Sequence, residues 1–272
     1  MLKDVTFGQY FPGDSVVHKM DPRMKLVLII VYIVMLFVAD GIIPLLLGVA
    51  VTVFAYAMSK LSFKLVWRSV KPILPIVVFT AILNIFFIEG DPLFQWKFIT
   101  ISERGVVTAV LMCVRIISLI AGSSLLTYTT TPIALTDGLE RLMKPLEKIK
   151  VPVHELSMMM TIALRFIPTL IDETGKIIAA QKARGADMDS GNAIQKAKAL
   201  VPILIPLFVS AFRRADELAL AMECRCYRGG EGRTRLKQLS LSGRDWAAAA
   251  LMTAALAGVI LLNKFGPAVM VL

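Results

Sequence analysis

Apolar residues along the chain fall into long blocks separated by charged tracts, and five blocks are long enough to cross a bilayer: residues 24–39, 42–58, 72–88, 106–128 and 246–263. A transmembrane helix needs about 17–25 residues, so the first and third blocks lie at the short end. Between the fourth and fifth blocks the pattern changes. Residues 129–245 alternate charged, helix-like segments with two shorter apolar stretches, 156–171 and 199–212, the first of which contains Arg165. These predict amphipathic or partly buried helices lying near the membrane plane. The pattern as a whole predicts an all-α polytopic membrane protein. It has four spans in residues 1–128, a region with two long helices at 129–245, and a last span in 246–272.

Orientation follows from lysine and arginine, which concentrate in cytoplasmic loops. Residues 59–71 carry Lys60, Lys64, Arg68 and Lys71 without an acid, which assigns that loop to the cytoplasm. The Asp40–Gly41 turn and the loop 89–105 are poor in basic residues and go outside. The N-terminus, with Lys19, Arg23 and Lys25, is then cytoplasmic, as is 129–245, and the C-terminus is outside. Reading 156–171 and 199–212 as further spans would carry Lys176, Lys182, Arg184, Lys196 and Lys198 outside, against the charge rule. The first apolar block follows a mixed-charge segment and precedes a turn, so it is expected to be a retained span rather than a cleaved signal. Trp67, Trp96 and Trp246 fall at or beyond block ends, where interfacial aromatics belong.

Composition agrees. Of 272 residues, 57% are hydrophobic and the mean hydropathy is +0.72, above the 45–50% apolar content typical of soluble domains. The net charge of +10 fits basic loops against anionic lipid better than nucleic acid. Three cysteines and two histidines are too few and wrongly spaced for zinc. Cys224 and Cys226 are expected to be reduced thiols, and no metal or cofactor is called for.

Local signals add detail. Asp21–Pro22 starts a helix, aspartate capping and proline in the first turn, which places Arg23 and Lys25 at the cytoplasmic interface. Arg115, inside the fourth block, is expected to face protein and pair with a carboxylate or with carbonyls, because charge at that depth is costly. Thr129–Thr130–Thr131–Pro132 caps the next helix. The pairs Asp172–Glu173 and Asp216–Glu217 are adjacent in sequence and point in different directions on a helix, which suits exposed faces or partners for arginines rather than acid–base chemistry.

The region 129–245 contains an internal echo. Ile167–Pro168 opens one helix-like rod that ends in Ala183–Arg184–Gly185. Ile205–Pro206 opens a second that ends in Cys224–Arg225–Cys226–Tyr227–Arg228–Gly229. At 1.5 Å per residue each rod is roughly 25–30 Å long. Glycine suits a left-handed cap and arginine the negative end of the helix dipole, and a guanidinium on a rigid tip suits an acidic groove on a partner. No Gly-x4-Gly-Lys-Ser/Thr loop for nucleotide phosphate occurs.

These motifs, in this order, resemble the transmembrane component of energy-coupling-factor transporters, whose metal-transporting relatives are the cobalt and nickel permease subunits. The resemblance covers His18–Leu26, Arg115–Pro132, Leu164–Arg165–Phe166–Ile167–Pro168, Gln181–Gly185 and Ala221–Gly229. It implies a non-catalytic scaffold in the bacterial inner membrane. Such a scaffold couples two cytoplasmic ATP-binding-cassette ATPases to a small substrate-binding membrane subunit for vitamin uptake. It further implies that two long coupling helices end in Ala-Arg-Gly-like signatures that dock in the ATPases, here Ala183, Arg184 and Gly185, and Cys224, Arg225 and Cys226. Cysteines replace the alanine and the glycine of the second signature, and Arg228–Gly229 is its alternative register. Gly229–Thr234 resembles the form that serves several vitamin-binding subunits. The competing classes are a cobalt or nickel permease subunit of the same kind and a conventional permease with its own solute pathway.

Overall fold

The computed structural model describes residues 10–88, 92–96, 99–186, 192–229 and 238–265. The described elements are α1 (Pro22–Val38), α2 (Ile42–Ser59), α3 (Phe63–Val70), α4 (Leu74–Phe87), β1 (Pro92–Trp96), β2 (Ile99–Ser102), α5 (Glu103–Thr129), α6 (Pro132–Met143), α7 (Val153–Ala183), α8 (Ala193–Cys224) and α9 (Gly243–Phe265). Single 3-10 turns, Lys71–Ile73 and Lys144–Ile149, join α3 to α4 and follow α6. The chain divides into two compact units, one containing residues 8–139 and 239–272 and the other residues 140–238.

The first unit is the polytopic part. Four helical stretches are long and apolar enough to cross a membrane: Ile42–Ser59, Lys64–Phe87, Glu103–Thr129 and Gly243–Lys264. They coincide with four of the five expected blocks, and α1, at 17 residues, coincides with the other. The stretch 59–71, expected as a loop, is partly helical. Ser62 caps α3 by accepting from the Lys64 amide, and Pro72 and Pro75 stand in the first turns of the segments that follow. Prolines there remove only amides that a helix start leaves unpaired anyway. The stretch 89–105 carries the antiparallel hairpin β1–β2, with Trp96 opposite Ile99.

The core of this unit lies where α1, α2, α5 and α9 meet, with Met35, Leu36, Ala39 and Val259 wholly buried. Close helix approach depends on small residues, as expected where lipid offers no hydrophobic drive between helices. A Cβ on Gly122 would overlap the Tyr32 ring, and one on Gly48 would meet Leu36 at 2.5 Å. The Tyr32 hydroxyl donates to the Ser118 carbonyl at 3.0 Å and shares a hydrogen bond with Thr52, while Tyr56 donates to the Ala121 carbonyl at 2.8 Å.

One end of the unit is knotted by charge. Asp21 caps α1 and binds the Arg23 guanidinium through both oxygens, at 3.0 and 2.7 Å. The Asp21 amide donates to buried Asp245, which also accepts from the Ser242 amide ahead of α9. Lys25, in the first turn of α1, is buried, and its ammonium donates to the Thr129 carbonyl at 3.0 Å and to Thr130 Oγ1 at 2.9 Å. A cation at the C-terminal end of α5 is favoured by that helix's dipole. Thr131 accepts from the Ala134 amide and so caps α6.

The second unit is built on α7 and α8, of 31 and 32 residues. Both correct the sequence reading, which opened its rods at Pro168 and Pro206. Helix continues straight through Pro168 in α7 and through Pro202 and Pro206 in α8. The short apolar stretches and the rods are therefore parts of single helices, each about 45–50 Å long. Asn192 and Gln195 form a reciprocal capping box at the start of α8.

Candidate functional site: the paired helix tips

Two polar ties join α7 to α8. Glu173 on α7 accepts from Ser210 and from Arg214 Nη2 at 2.8 Å on α8. The Ser210 hydroxyl, and then the Arg214 guanidinium, hold the Glu173 carboxyl below the usual carboxylate range. The second tie is Gln181 Nε2, which donates to the Pro202 carbonyl at 3.3 Å. A helical carbonyl normally accepts from the amide four residues on. For Pro202 that residue is Pro206, which has no N–H. The Gln181 amide therefore supplies the hydrogen bond that Pro206 withholds, and α8 continues past two prolines. The ties run in opposite sense along the two helices, Glu173 to 210–214 and Gln181 to 202, so the C-terminal tips point away from one another.

Both tips end in the same way. In α7, Arg184 is the last half-helical residue, Gly185 takes φ +86°, and the Gly185 and Ala186 amides donate to the carbonyls of Lys182 and Gln181, each at 3.0 Å. In α8, Arg225 holds the corresponding place and Cys226 takes φ +58°. The Cys226 and Tyr227 amides donate to the carbonyls of Glu223 and Met222, at 2.8 and 3.0 Å. Each is a Schellman motif, with its paired 6→1 and 5→2 bonds. The geometry therefore makes Arg225, not Arg228, the structural counterpart of Arg184. Cysteine occupies the left-handed position that glycine fills at the first tip.

Ala183, Arg184 and Gly185 are exposed together at one tip, and Cys224, Arg225 and Cys226 at the other. Each triplet is contiguous, and the two triplets are not brought together. Along α8, Leu204, Ile205, Phe208, Val209 and Phe212 form an exposed apolar stripe, and α7 exposes Met159 and Met160. Arg115 lies in α5, where its Nη2 donates to the Ala39 carbonyl at 2.6 Å. Gly230–Thr234 lies outside the described residues. Among the described residues, no group of three or more His, Cys, Asp or Glu side chains could hold a metal ion.

Two features escaped the sequence reading. The Gln181–Pro202 tie could have been found, because the spacing of Pro202 and Pro206 marks a carbonyl without its helical donor. The cluster of Glu140, His154 and Ser157, in which Glu140 binds both other side chains, carries no spacing signal, since its members come from different helices.

The profile of the cobalt transport protein family matches residues 13–236, a stretch that includes both tips. The energy-coupling factor transporter transmembrane protein of Clostridium kluyveri is 58% identical over 250 residues, covering 91% of this chain and 93% of its own. The protein of the same description from Ruminiclostridium cellulolyticum is 54% identical over 266 residues, covering 97% and 98%. The chain belongs to the family of energy-coupling factor transporter transmembrane proteins. The Bacillus subtilis member is 46% identical over 246 residues, covering 90% of this chain and 93% of its own. Family membership and the four long apolar helices together identify a multi-pass membrane protein and a membrane component of a transporter.

Proposed function

We propose that this chain is the coupling scaffold of an energy-coupling-factor uptake transporter. It ties two cytoplasmic ATP-binding-cassette ATPases to a small substrate-binding membrane subunit and carries no catalysis of its own. The observation that supports this most directly is the pair of like-capped arginine tips on helices that diverge, one anchor for each ATPase. The chain sits in the bacterial inner membrane, with its N-terminus and residues 129–245 on the cytoplasmic side and five spans in all. Residues 1–128 and 246–272 supply the spans.

Each guanidinium enters an acidic groove as a planar donor, for which lysine is a poor substitute. When ATP closes the two ATPases, both tips move. A helix shifts as a unit because its backbone bonds are satisfied within it, and the ties at Glu173 and Gln181 make α7 and α8 move together. The apolar stripes around Met159 and Phe208 pass the motion to the substrate subunit by packing, and methionine suits a partner that is exchanged. The match to the cobalt transport protein family favours a second cargo class, a metal cation in place of a vitamin, carried by the same scaffold through a different substrate subunit.

The test is capture of both ATPases by membrane-inserted variants. Removing one partner of a buried, charge-assisted pair typically costs about 2–5 kcal/mol. Arg184→Ala or Arg225→Ala alone is expected to reduce association and uptake. The double change is expected to abolish both, since no tethered anchor then raises the local concentration for the other. A double variant that still captures both ATPases and transports normally would return the arginines to simple helix caps. Binding of ATP by the isolated chain would overturn the scaffold.

A further inference from the structure

The first unit contains a cavity of about 420 Å³ between α1, α2, α5 and α9, within the size range of small-molecule sites, about 300–1,000 Å³. Its walls are almost wholly apolar, with Leu28, Val51, Ala55, Leu125 and Leu251 among them. The lining comes from Val16, Val17 and Met20 ahead of α1, from the N-terminal parts of α1 and α9, and from the C-terminal parts of α2 and α5. The cavity therefore lies toward one end of the spans.

The polar groups on its wall are mostly committed. Lys25 donates to Thr129 and Thr130, and Tyr32 bonds Thr52 and Ser118. Arg244 is different. It lines the cavity at the start of α9, is exposed, and its guanidinium makes no hydrogen bond or ion pair within the described residues. An apolar recess with a cation at its rim that is unpaired among the described residues is complementary to a molecule with a long hydrocarbon tail and an anionic head.

We propose that this cavity binds an anionic phospholipid, with an acyl chain between α1, α2, α5 and α9 and the phosphate on the Arg244 guanidinium. Hydrocarbon fills the recess by dispersion contact. The planar guanidinium donates to two phosphate oxygens at once, which distinguishes an anionic head from a zwitterionic one whose own ammonium competes for the phosphate.

The experiment titrates the delipidated full chain with phosphatidylglycerol, with phosphatidylcholine of the same chains, and with glycerol 1-phosphate, following the unfolding midpoint and the lipid retained after purification. Phosphatidylglycerol is expected to raise the midpoint and to bind about fivefold more tightly than phosphatidylcholine, the effect of one basic residue at a membrane surface. Glycerol phosphate, lacking tails, is expected to do nothing. Arg244→Gln should erase the preference for phosphatidylglycerol while keeping tail binding. Ala248→Phe, which narrows the cavity, should weaken both lipids. Equal binding of the two lipids by the unaltered chain would overturn the assignment, as would a preference that survives Arg244→Gln. A shift produced by glycerol phosphate alone would overturn the role of the tail. Because Arg244 is exposed, its variant folds whether or not Ala248→Phe does.

Discussion

The two units of this chain bury apolar surface to different degrees. In the span-bearing unit, Met35, Leu36, Ala39 and Val259 are sealed between helices, and Gly48 and Gly122 exist to let neighbouring side chains press in. In the unit built on α7 and α8, Val153 and Ile203 are the buried hydrophobics of those helices, while Phe208 and Phe212 stand 59% and 68% exposed. Its two helices are held to each other by side-chain hydrogen bonds as much as by packing. Contiguous exposed apolar surface marks a place where something else binds. Both units expose apolar side chains, Phe37 and Phe87 in the first among them, but the first also seals a core between its helices, whereas the second presents apolar faces and exposed tips.

The sharpest way to break that contrast is to add one methyl group to each unit. Gly122→Ala drives a Cβ into Tyr32, and overpacking of this kind costs about 1–3 kcal/mol. Gly175, in mid-α7, has open space around its Cβ position, so Gly175→Ala should stabilise α7 by about 0.5–1 kcal/mol. Thermal unfolding of the purified variants should move in opposite directions. Movement in the same direction would mean that α7 is packed as tightly as the spans.

A smaller effect is expected at the tie between the helices. Gln181→Leu keeps the bulk but leaves the Pro202 carbonyl without its donor, a loss of about 0.5–1.5 kcal/mol. Amide hydrogen exchange should quicken in α8 around Pro202 and stay unchanged in α5. At the tips, Cys226→Gly relieves a left-handed cysteine and should stabilise by up to about 1 kcal/mol. Gly185→Val should do the reverse at φ +86°. Stability of the isolated α7–α8 region against proteolysis is the measurement, and a destabilised Cys226→Gly would break the equivalence of the tips.

The smallest effect is one of pH. The folded Glu173 carboxyl titrates below its ordinary value, so its bonds to Ser210 and Arg214 add stability above the unfolded value. That stability is lost as pH falls through the folded value. Because the pair is only partly buried the amplitude is small. Acidification should loosen α7 from α8, seen as a widening spin-label distance across the pair, and Glu173→Gln should remove that dependence.

Much of this architecture was legible in the sequence because hydrocarbon imposes a blunt requirement, a long apolar run. The block 42–58 became α2 nearly to the residue, and 106–128 became α5, extended at its start because Ser102 caps by accepting from the Gly105 amide. Expectation failed where a local rule was overridden by a neighbour. Proline normally breaks helices, yet α8 passes two of them with help from Gln181 on another helix. The burial of Lys25 carries no local signal either, because the oxygens of Thr129 and Thr130 that its ammonium binds come from the end of α5. The tips were legible as arginines, but the register of the second was not. Only backbone geometry shows that Cys226, rather than Gly229, closes that helix in the manner of Gly185.

The matching caps have a consequence for how such a tip can change over time. Four backbone hydrogen bonds, two at each end, aim the two guanidiniums, and none involves a side chain. The sequences Ala183–Arg184–Gly185–Ala186 and Cys224–Arg225–Cys226–Tyr227 share only the arginine and are capped alike. Direction is thus inherited from the main chain, and the flanking side chains are released to vary. On the proposed docking, two identical fittings can in this way acquire different keys, each tip drifting toward its own socket while the backbone that carries it stays constant.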